Sequence, residues 1–331
     1  MKKRYTNLPV KVIRGNTLEQ LKLPMKPEYP FDEKTLGLLK EENLFEQEYF
    51  YIESGENYAF FVLYKNRMNL FTFGKWKCFY PLQVIGYPCS LSNCGYVTNN
   101  PSFMFEFIKT IKGAKLVLNV QEKSPIRGMT IGETLPTCIF ENVFQTTEDY
   151  IKSLRSAYRR RIRVALKNCK DVEVRELTDN SVDIYPLYLN TYQKSDYKLE
   201  KLERGFFEKA EAVKLVFMQE ELPRSFVMLK VDGEKLIFML CGMDYQYQTT
   251  DLYYFMIFHI IQYAIEKKVR FIDLGQTSEE TKMKFGALLE KRYFYAHHTN
   301  PFLNGAVKLG KSLLEYHYQF PGYRVFREEI Q

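Results

Sequence analysis

The run Phe271-Ile-Asp-Leu-Gly-Gln-Thr-Ser-Glu-Glu-Thr-Lys282 holds the residue types best suited to chemistry in this chain. Its apolar start predicts a strand, with Asp273 near the carboxyl end and Gly275 just beyond. Side chains at such strand ends tend to face the ligand crevice of an α/β sheet. In a partly desolvated cleft a carboxylate can take a proton from an attacking amine. The competing reading makes Asp273 a structural residue that caps the next helix or pairs with Lys282. Lys282 itself can reach back over the cleft to an acyl oxygen or a phosphate, although lysines by default sit at the surface. His297 and His298 are adjacent on a strand and point to opposite faces, so they do not ligate one metal together. No metal site is expected. His259 falls on the apolar side of its helix and reads as a core histidine. The chain has no G-x-S-x-G, P-loop or Rossmann fingerprint, which weighs against hydrolase, NTPase and dehydrogenase functions.

A second constellation is basic. No acidic residue interrupts the segment from Tyr150 to Lys170. Lys152, Arg155, Arg159, Arg163, Lys167 and Lys170 form one helical stripe, flanked by Arg160 and Arg161. The planar guanidinium fork makes paired hydrogen bonds to phosphate oxygens. A coenzyme diphosphate, the acceptor phosphates of a tRNA or a nucleotide-sugar would all fit. The competing reading is a solvated helix face whose arginine stems pack on the sheet.

These residues need elements to hold them. Thr146 three before Asp149 resembles a capping box, and Ile151, Leu154, Tyr158, Ile162, Ala165, Leu166 and Cys169 follow at helical spacing, which predicts one helix to about residue 170. Downstream, strands are expected at Val172–Leu177, Lys214–Met218, Ser225–Val231 and Lys235–Cys241, the last two joined by a hairpin at Asp232-Gly233. Helices are expected at Val182–Lys194, Leu202–Ala210 and Leu252–Lys267. Thr277 with Glu280 predicts a further helix to about Leu289, and Tyr293, Tyr295 and His297 alternate along a last strand. In the first half, strands are expected at Tyr58–Tyr64 and Met68–Phe73 around a Lys65-Asn66-Arg67 turn, at Leu82–Tyr87 and at Lys115–Val120, with a helix at Phe103–Lys112. Gly86 to Gly95 is a turn-rich loop, either a surface connection or a close approach to a ligand. Together this is an α/β (α+β) chain with mixed central sheets and helices on both faces. Two lobes are expected, residues 1–145 and residues 146–331. No sequence repeat is visible.

The 331 residues suffice for two domains, and 46% apolar residues suffice for a real core. The net charge of +7 is compatible with anionic ligands without demanding them. None of the six cysteines shows C-x-x-C spacing, which suits buried thiols in a reducing compartment. Basic residues Lys2 to Arg4 are followed by no signal-like apolar run, and no stretch approaches the ~20 apolar residues of a membrane span. The expectation is a cytoplasmic protein with no transmembrane segment, with room left for peripheral membrane contact.

Two stretches resemble a known family. Tyr158-Arg-Arg-Arg-Ile-Arg-Val-Ala-Leu-Lys167 and Phe271 to Ala287 are similar to the GNAT-like C-terminal lobe of the bacterial Fem and BioF2-like acyltransferases, the group that includes peptidoglycan-bridge transferases. The likeness covers residues ~146 to ~300; the first half is loosely similar to a degenerate GNAT-like lobe. The resemblance implies tandem GNAT-like lobes and an acyltransferase, an enzyme moving an acyl group from acetyl-CoA or another acyl-CoA to an amine acceptor. That acceptor is a small molecule or a cell-wall precursor. The alternative donor is aminoacyl-tRNA, as in the Fem branch, and a further alternative is a non-catalytic binder of RNA or anionic glycan. By the same resemblance Asp273 and Tyr254 are catalytic, with Tyr253 beside it as a second candidate acid. Arg159, Arg160, Arg163, Gly275, Gln276, Thr277 and Lys282 hold the donor. Gly242, Asp244 and Tyr295 hold the acceptor. One departure stands out. The glycine-rich pyrophosphate turn is missing, replaced by Tyr245-Gln-Tyr-Gln-Thr-Thr-Asp251, and a carboxylate there repels phosphate.

Overall fold

In the computed structural model, residues 9–21, 23, 27–89, 91–247 and 249–327 are described. The basic residues Lys2 to Arg4 lie outside them. Strand β1 (Lys11–Gly15) is followed by helices α1 (Leu18–Leu21) and α2 (Glu33–Glu41), then β2 (Gln47–Ser54), β3 (Asn57–Asn69), β4 (Phe79–Ile85) and β5 (Tyr96–Thr98). Helix α3 (Pro101–Thr110) leads to β6 (Ala114–Val120) and β7 (Thr130–Glu141). The second half runs α4 (Thr147–Ser153), α5 (Ser156–Asn168), β8 (Glu173–Leu177), α6 (Tyr185–Lys194), α7 (Arg204–Lys209), β9 (Val213–Gln219), β10 (Leu222–Asp232) and β11 (Lys235–Met243). It closes with α8 (Thr249–Glu266), β12 (Phe271–Asp273), α9 (Glu279–Met283), β13 (Leu288–His298), α10 (Pro301–Leu309) and α11 (Lys311–Leu314).

One mixed sheet runs through both halves in the order β1-β2-β3-β4-β6-β13-β7-β12-β11-β10-β9-β8, with β5 added to β3. Each half contains one parallel pair, β4 with β6 and β11 with β12, and a helix (α3 or α8) crosses over between its two strands. The final strands are exchanged. β7, from the first half, lies beside β12, and β13, from the second half, lies beside β6. Backbone N–H and C=O groups in a buried strand need partners, so each half completes the other's central ladder. The 145/146 boundary falls between β7 and α4, while the sheet continues across it.

Several expected elements differ, each because a tertiary partner overrides a local preference. The expected helix from Thr146 to Cys169 is two helices. Thr146 does cap α4, accepting from the Asp149 N–H at 3.1 Å. The ladder then breaks at Leu154, which bridges Phe326, while the Arg155 N–H donates to the Val325 carbonyl and the Arg327 N–H to that of Ser153. The C-terminal tail thus takes over backbone bonds a continuous helix would have made. The Lys65-Asn66-Arg67 turn is absent, because those residues pair with Gln83, Leu82 and Pro81 inside the long strand β3. The helix expected after Thr277 shrinks to the five residues of α9, and Thr277 does not cap it: Thr277 and Ser278 both have positive φ, 63° and 51°. The Gly86–Gly95 loop is not a surface connection. Tyr87, Cys89, Leu91 and Ser92 are buried, and Gly95 lies so close to Gly86 that an added Cβ would meet its backbone at 2.2 Å.

Helix α8 anchors the second half. Leu252, Met256, Ile257, Ile260, Ile261 and Ala264 are fully buried because the sheet covers one side of α8 and α5 the other. Each large aliphatic side chain so buried contributes roughly 1.5–3 kcal/mol. No helix among the described residues is long and apolar enough to cross a membrane.

Candidate active site

Strands β11 and β12 pair in parallel for three residues only, Lys235 with Phe271, Leu236 with Ile272 and Ile237 with Asp273. β12 then ends while β11 continues to Met243, so the two strands part as a fork. At the parting point β11 carries a bulge: Leu229 faces Phe238 and Met228 faces Leu240, leaving Met239 extra. Bulges of this kind bend a strand and interrupt pairing next to sites. The segment leaving β12 is strained as well, with Gly275, Thr277 and Ser278 at φ 72°, 63° and 51°. Positive φ is costly for residues with a Cβ and persists only where surroundings enforce it.

Lys282 fills the fork. It is 2% exposed, and its Nζ donates to the carbonyls of Gly275 at 3.2 Å and Gln276 at 2.9 Å. An ammonium has three N–H donors, and the third has no acceptor among the described residues. Lys282 forms no ion pair within 4 Å there either. Burial holds it below the ordinary lysine range, partly opposed by the fields of Cys138, Cys241, Glu279 and Asp273. The two neighbouring thiols do not serve as counter-ions, because burial pushes Cys138 up to about 12 and Cys241 up to about 11.

Asp273 is tied down by three donors. Ser92 Oγ bonds Oδ2 at 2.6 Å, and Thr137 Oγ1 and the Gly275 N–H bond Oδ1 at 2.8 and 2.9 Å. Ser92 comes from the buried loop of the first half and Thr137 from the exchanged strand β7. The carboxylate therefore joins three separate chain segments. Gln276 adds a second tie, donating to Asn119 Oδ1 at 3.0 Å and to the Leu135 carbonyl at 2.6 Å.

Of the two tyrosines weighed as acids, Tyr253 and not Tyr254 enters the fork. Tyr253 lies in the fields of Cys241, Cys138 and Glu279, with Ser278 in hydrogen-bonding reach; burial raises its phenol well above the usual range. Tyr254 turns the other way, with its ring 4.0 Å from the Arg161 guanidinium and 5.2 Å from the Phe285 ring. On a helix adjacent positions diverge by about 100°, so one residue decides which side is reached.

Arg161 is the arginine that docks on α8. It pairs with Asp251 at 2.7 Å, and Asn168 donates to the other oxygen of that carboxylate at 2.8 Å. The negative charge at the start of α8 is thereby neutralised from α5. Arg159, Arg160 and Arg163 take no ion-pair partner among the described residues; Arg160 and Arg163 are exposed and Arg159 half-buried. The basic helix and the strand tip meet through the chain Arg161, Tyr254, Phe285, with Lys282 three residues earlier. Arg161 stood outside the basic stripe, beside the apolar positions Tyr158, Ile162 and Ala165, and that spacing was the available signal. Ser92 and Thr137 had no signal beyond the small residues of their segments.

Of the three acceptor residues, Gly242 lies on the arm of β11 beyond the parting point and Tyr295 lies far from it. Tyr295 pairs with Ile131, whereas Asp273 pairs with Ile139 on the same strand β7. Eight residues of strand separate them by roughly 26 Å. Tyr295 instead stacks on Phe105 at 4.4 Å and bonds the backbone of Ser124. The face of β11 at Gly242 is covered by α6: a Cβ there would come within 2.4 Å of the Leu187 carbonyl carbon and 2.5 Å of the Tyr188 nitrogen. Asp244 is engaged by Arg224 at 3.0 Å. Tyr295 is thus held in the core of the first half, Gly242 has one face against α6, and Asp244 is paired with Arg224.

No protein-family model matches the chain, and no curated protein matches it in sequence. Solved structures do match. A tandem GNAT protein from the clavulanic acid biosynthesis pathway aligns over 88% of this chain and 99% of its own, with a TM-score of 0.50 and 7% identity. The fold is a tandem GNAT-like one. FemX aligns over 86% of this chain and 95% of its own (TM-score 0.48, 11% identity), and L-PGS from Bacillus licheniformis over 78% and 87% (TM-score 0.49, 10% identity).

Proposed function

We propose that the protein is an N-acyltransferase that moves an acyl group from an anionic carrier, acyl-CoA in the first instance, to a primary amine on a small molecule or cell-wall precursor. The observation that supports this most strongly is the buried Lys282 Nζ, which lies where two parallel strands part and, among the described residues, hydrogen-bonds only the carbonyls of Gly275 and Gln276; as an ammonium it has a third N–H to offer. In acyl transfer the amine nitrogen bonds to the carbonyl carbon, the oxygen gathers negative charge, and the carbon–sulfur bond breaks as the tetrahedral species collapses. A positioned donor in a dry site is worth most at that oxygen. Lys282 supplies it, Asp273 orients the loop that presents the Gly275 and Gln276 carbonyls, and the protonated Tyr253 phenol gives its proton to the departing thiolate and recovers one from the newly acylated nitrogen, so the proton shed by the amine ends on the thiol. The fork brings the reactants together, so much of the acceleration comes from orientation.

The carrier's phosphates would be held by side chains rather than by a glycine turn. Arg159, Arg160 and Arg163 are free for this, and Asp251 no longer opposes it once Arg161 and Asn168 have taken its oxygens. These arginines, on a 13-residue helix of roughly 20 Å, favour a second reading in which the donor is aminoacyl-tRNA. A thermal-shift titration tests the first. Acetyl-CoA at 100 times its dissociation constant adds about 2.7 kcal/mol, which is expected to raise the melting temperature by about 4 °C. No shift with any CoA ester, together with salt-dependent binding of aminoacyl-tRNA, would replace the first reading with the second.

A further inference from the structure

Glu279 is a second buried charge that the donor chemistry does not use. It is 6% exposed, and among the described residues its Oε1 has no hydrogen-bond partner and Lys282, one turn further along α9, makes no ion pair with it. The Tyr316 phenol is within hydrogen-bonding reach of its carboxyl group, and its charge also acts on Tyr197, Tyr253 and Lys282. A buried carboxylate oxygen left unsatisfied costs about 1–3 kcal/mol or more, and native proteins rarely retain one without a use.

The surroundings indicate that use. Two tyrosines from distant parts of the chain lie in the field of this carboxylate, and the Phe73 ring bridges them. Phe73 follows β3, Tyr197 follows α6, and Tyr316 belongs to the C-terminal tail. The Phe73 ring lies 5.9 Å from that of Tyr197 and 5.0 Å from that of Tyr316. The Glu279 charge acts on both Tyr197 and Tyr316. All three rings are half-exposed, so the box opens to solvent. A carboxylate with a free oxygen, walled by aromatic faces, is complementary to an organic ammonium, which gains a charge-assisted hydrogen bond and cation–π attraction at once. An anion gains neither, and a neutral hydroxyl gains the hydrogen bond without the cation–π attraction or the opposite charge.

We infer that Glu279, Phe73, Tyr197 and Tyr316 form an ammonium subsite that receives the acceptor's amine. This rests on the acyl-transfer reading only in naming the ammonium as the acceptor. Glu279 on α9 places that nitrogen one helical turn from the Lys282 fork. Phe73 and the tail must both be in place for the box to exist, so the acceptor is recognised by first-half and C-terminal residues together.

The test is binding without any acyl donor. Benzylammonium and its neutral counterpart benzyl alcohol are titrated against the full chain by ligand-detected NMR, alongside the variants Glu279→Gln and Tyr316→Leu. The expected result is benzylammonium bound at least about tenfold more tightly than the alcohol. That preference is lost in Glu279→Gln, while Tyr316→Leu weakens ammonium binding and keeps part of the preference. Acetyl-CoA binding is unchanged in both variants. Equal affinity for the two probes, or an undiminished preference in a folded Glu279→Gln protein, overturns the subsite. Should Glu279→Gln unfold, Tyr316→Leu carries the test, and unaltered benzylammonium binding there overturns it. Because no donor is present, a protein that binds no CoA ester would sink the acyl-CoA reading and leave this one standing, and the reverse also holds.

Discussion

Replacing Lys282 with methionine separates the catalytic reading of the fork from a structural one. The substitution keeps the length of the side chain and removes the charge. It deletes hydrogen bonds to the carbonyls of Gly275 and Gln276, each worth about 1.5–3 kcal/mol for a charged donor. The Gly275 carbonyl keeps a second partner, the Cys138 N–H at 3.1 Å. Against that loss stands the cost of burying an ammonium with no ion-pair partner, several kcal/mol after relaxation. The two nearly cancel, so stability by urea unfolding should change by no more than about 2 kcal/mol. Turnover, measured as thiol release from acetyl-CoA with a primary amine present, should fall roughly 100- to 1,000-fold, as for loss of one oxyanion donor. The pH dependence adds an independent check. Burial lowers the Lys282 pKa in the folded state, so the unfolded chain binds the proton more tightly. The stability term is complete above the unfolded lysine pKa near 10.4 and is lost as pH falls through the lower folded value. Wild-type stability should therefore gain an upward component with pH across that window, and Lys282→Met should lack it. A Lys282→Met protein that turns over within tenfold of wild type would refute the oxyanion role, and one that loses more than about 4 kcal/mol would show a structural cation instead.

Two further outcomes follow from the same geometry. Asp273→Asn turns one acceptor oxygen into a donor facing Ser92, Thr137 or the Gly275 N–H, and should cost about 2–4 kcal/mol in chemical denaturation, loosening the contact between halves. His259 is packed against Phe217, Phe255 and Phe258, and burial pushes its pKa down to about 4, partly opposed by Gln262. Its contribution to stability is present above pH ~6.5 and lost as pH falls through about 4, on the order of 3 kcal/mol. His259→Phe should flatten acid unfolding over that window.

Local pattern made much of this protein legible in the sequence. The Asp232-Gly233 hairpin, the α8 helix, the short strand ending in Asp273 and the capped start of α4 all follow from turn chemistry, capping or apolar period acting over a few residues. The basic character of α5 was legible for the same reason, being composition along one helix. Long-range pairing decided the rest. Nothing near Leu154 predicts that Val325 to Arg327 will interrupt the helix, because the tail that captures those backbone groups lies some 170 residues away. The exchange of β7 and β13 is equally invisible, since a strand's pattern shows which face is buried and not which neighbour it chooses. The fork shows the division most clearly. The sequence placed Asp273 at a strand end and Lys282 on the helix that follows, but only the fold buries the lysine and turns its Nζ onto the carbonyls of Gly275 and Gln276. Only the fold turns Tyr253 inward and Tyr254 toward Arg161, and brings Phe73 and Tyr316 around Glu279. Desolvation and the geometry of contacts distant in sequence set those properties, and neither is encoded in the spacing of residues along the chain.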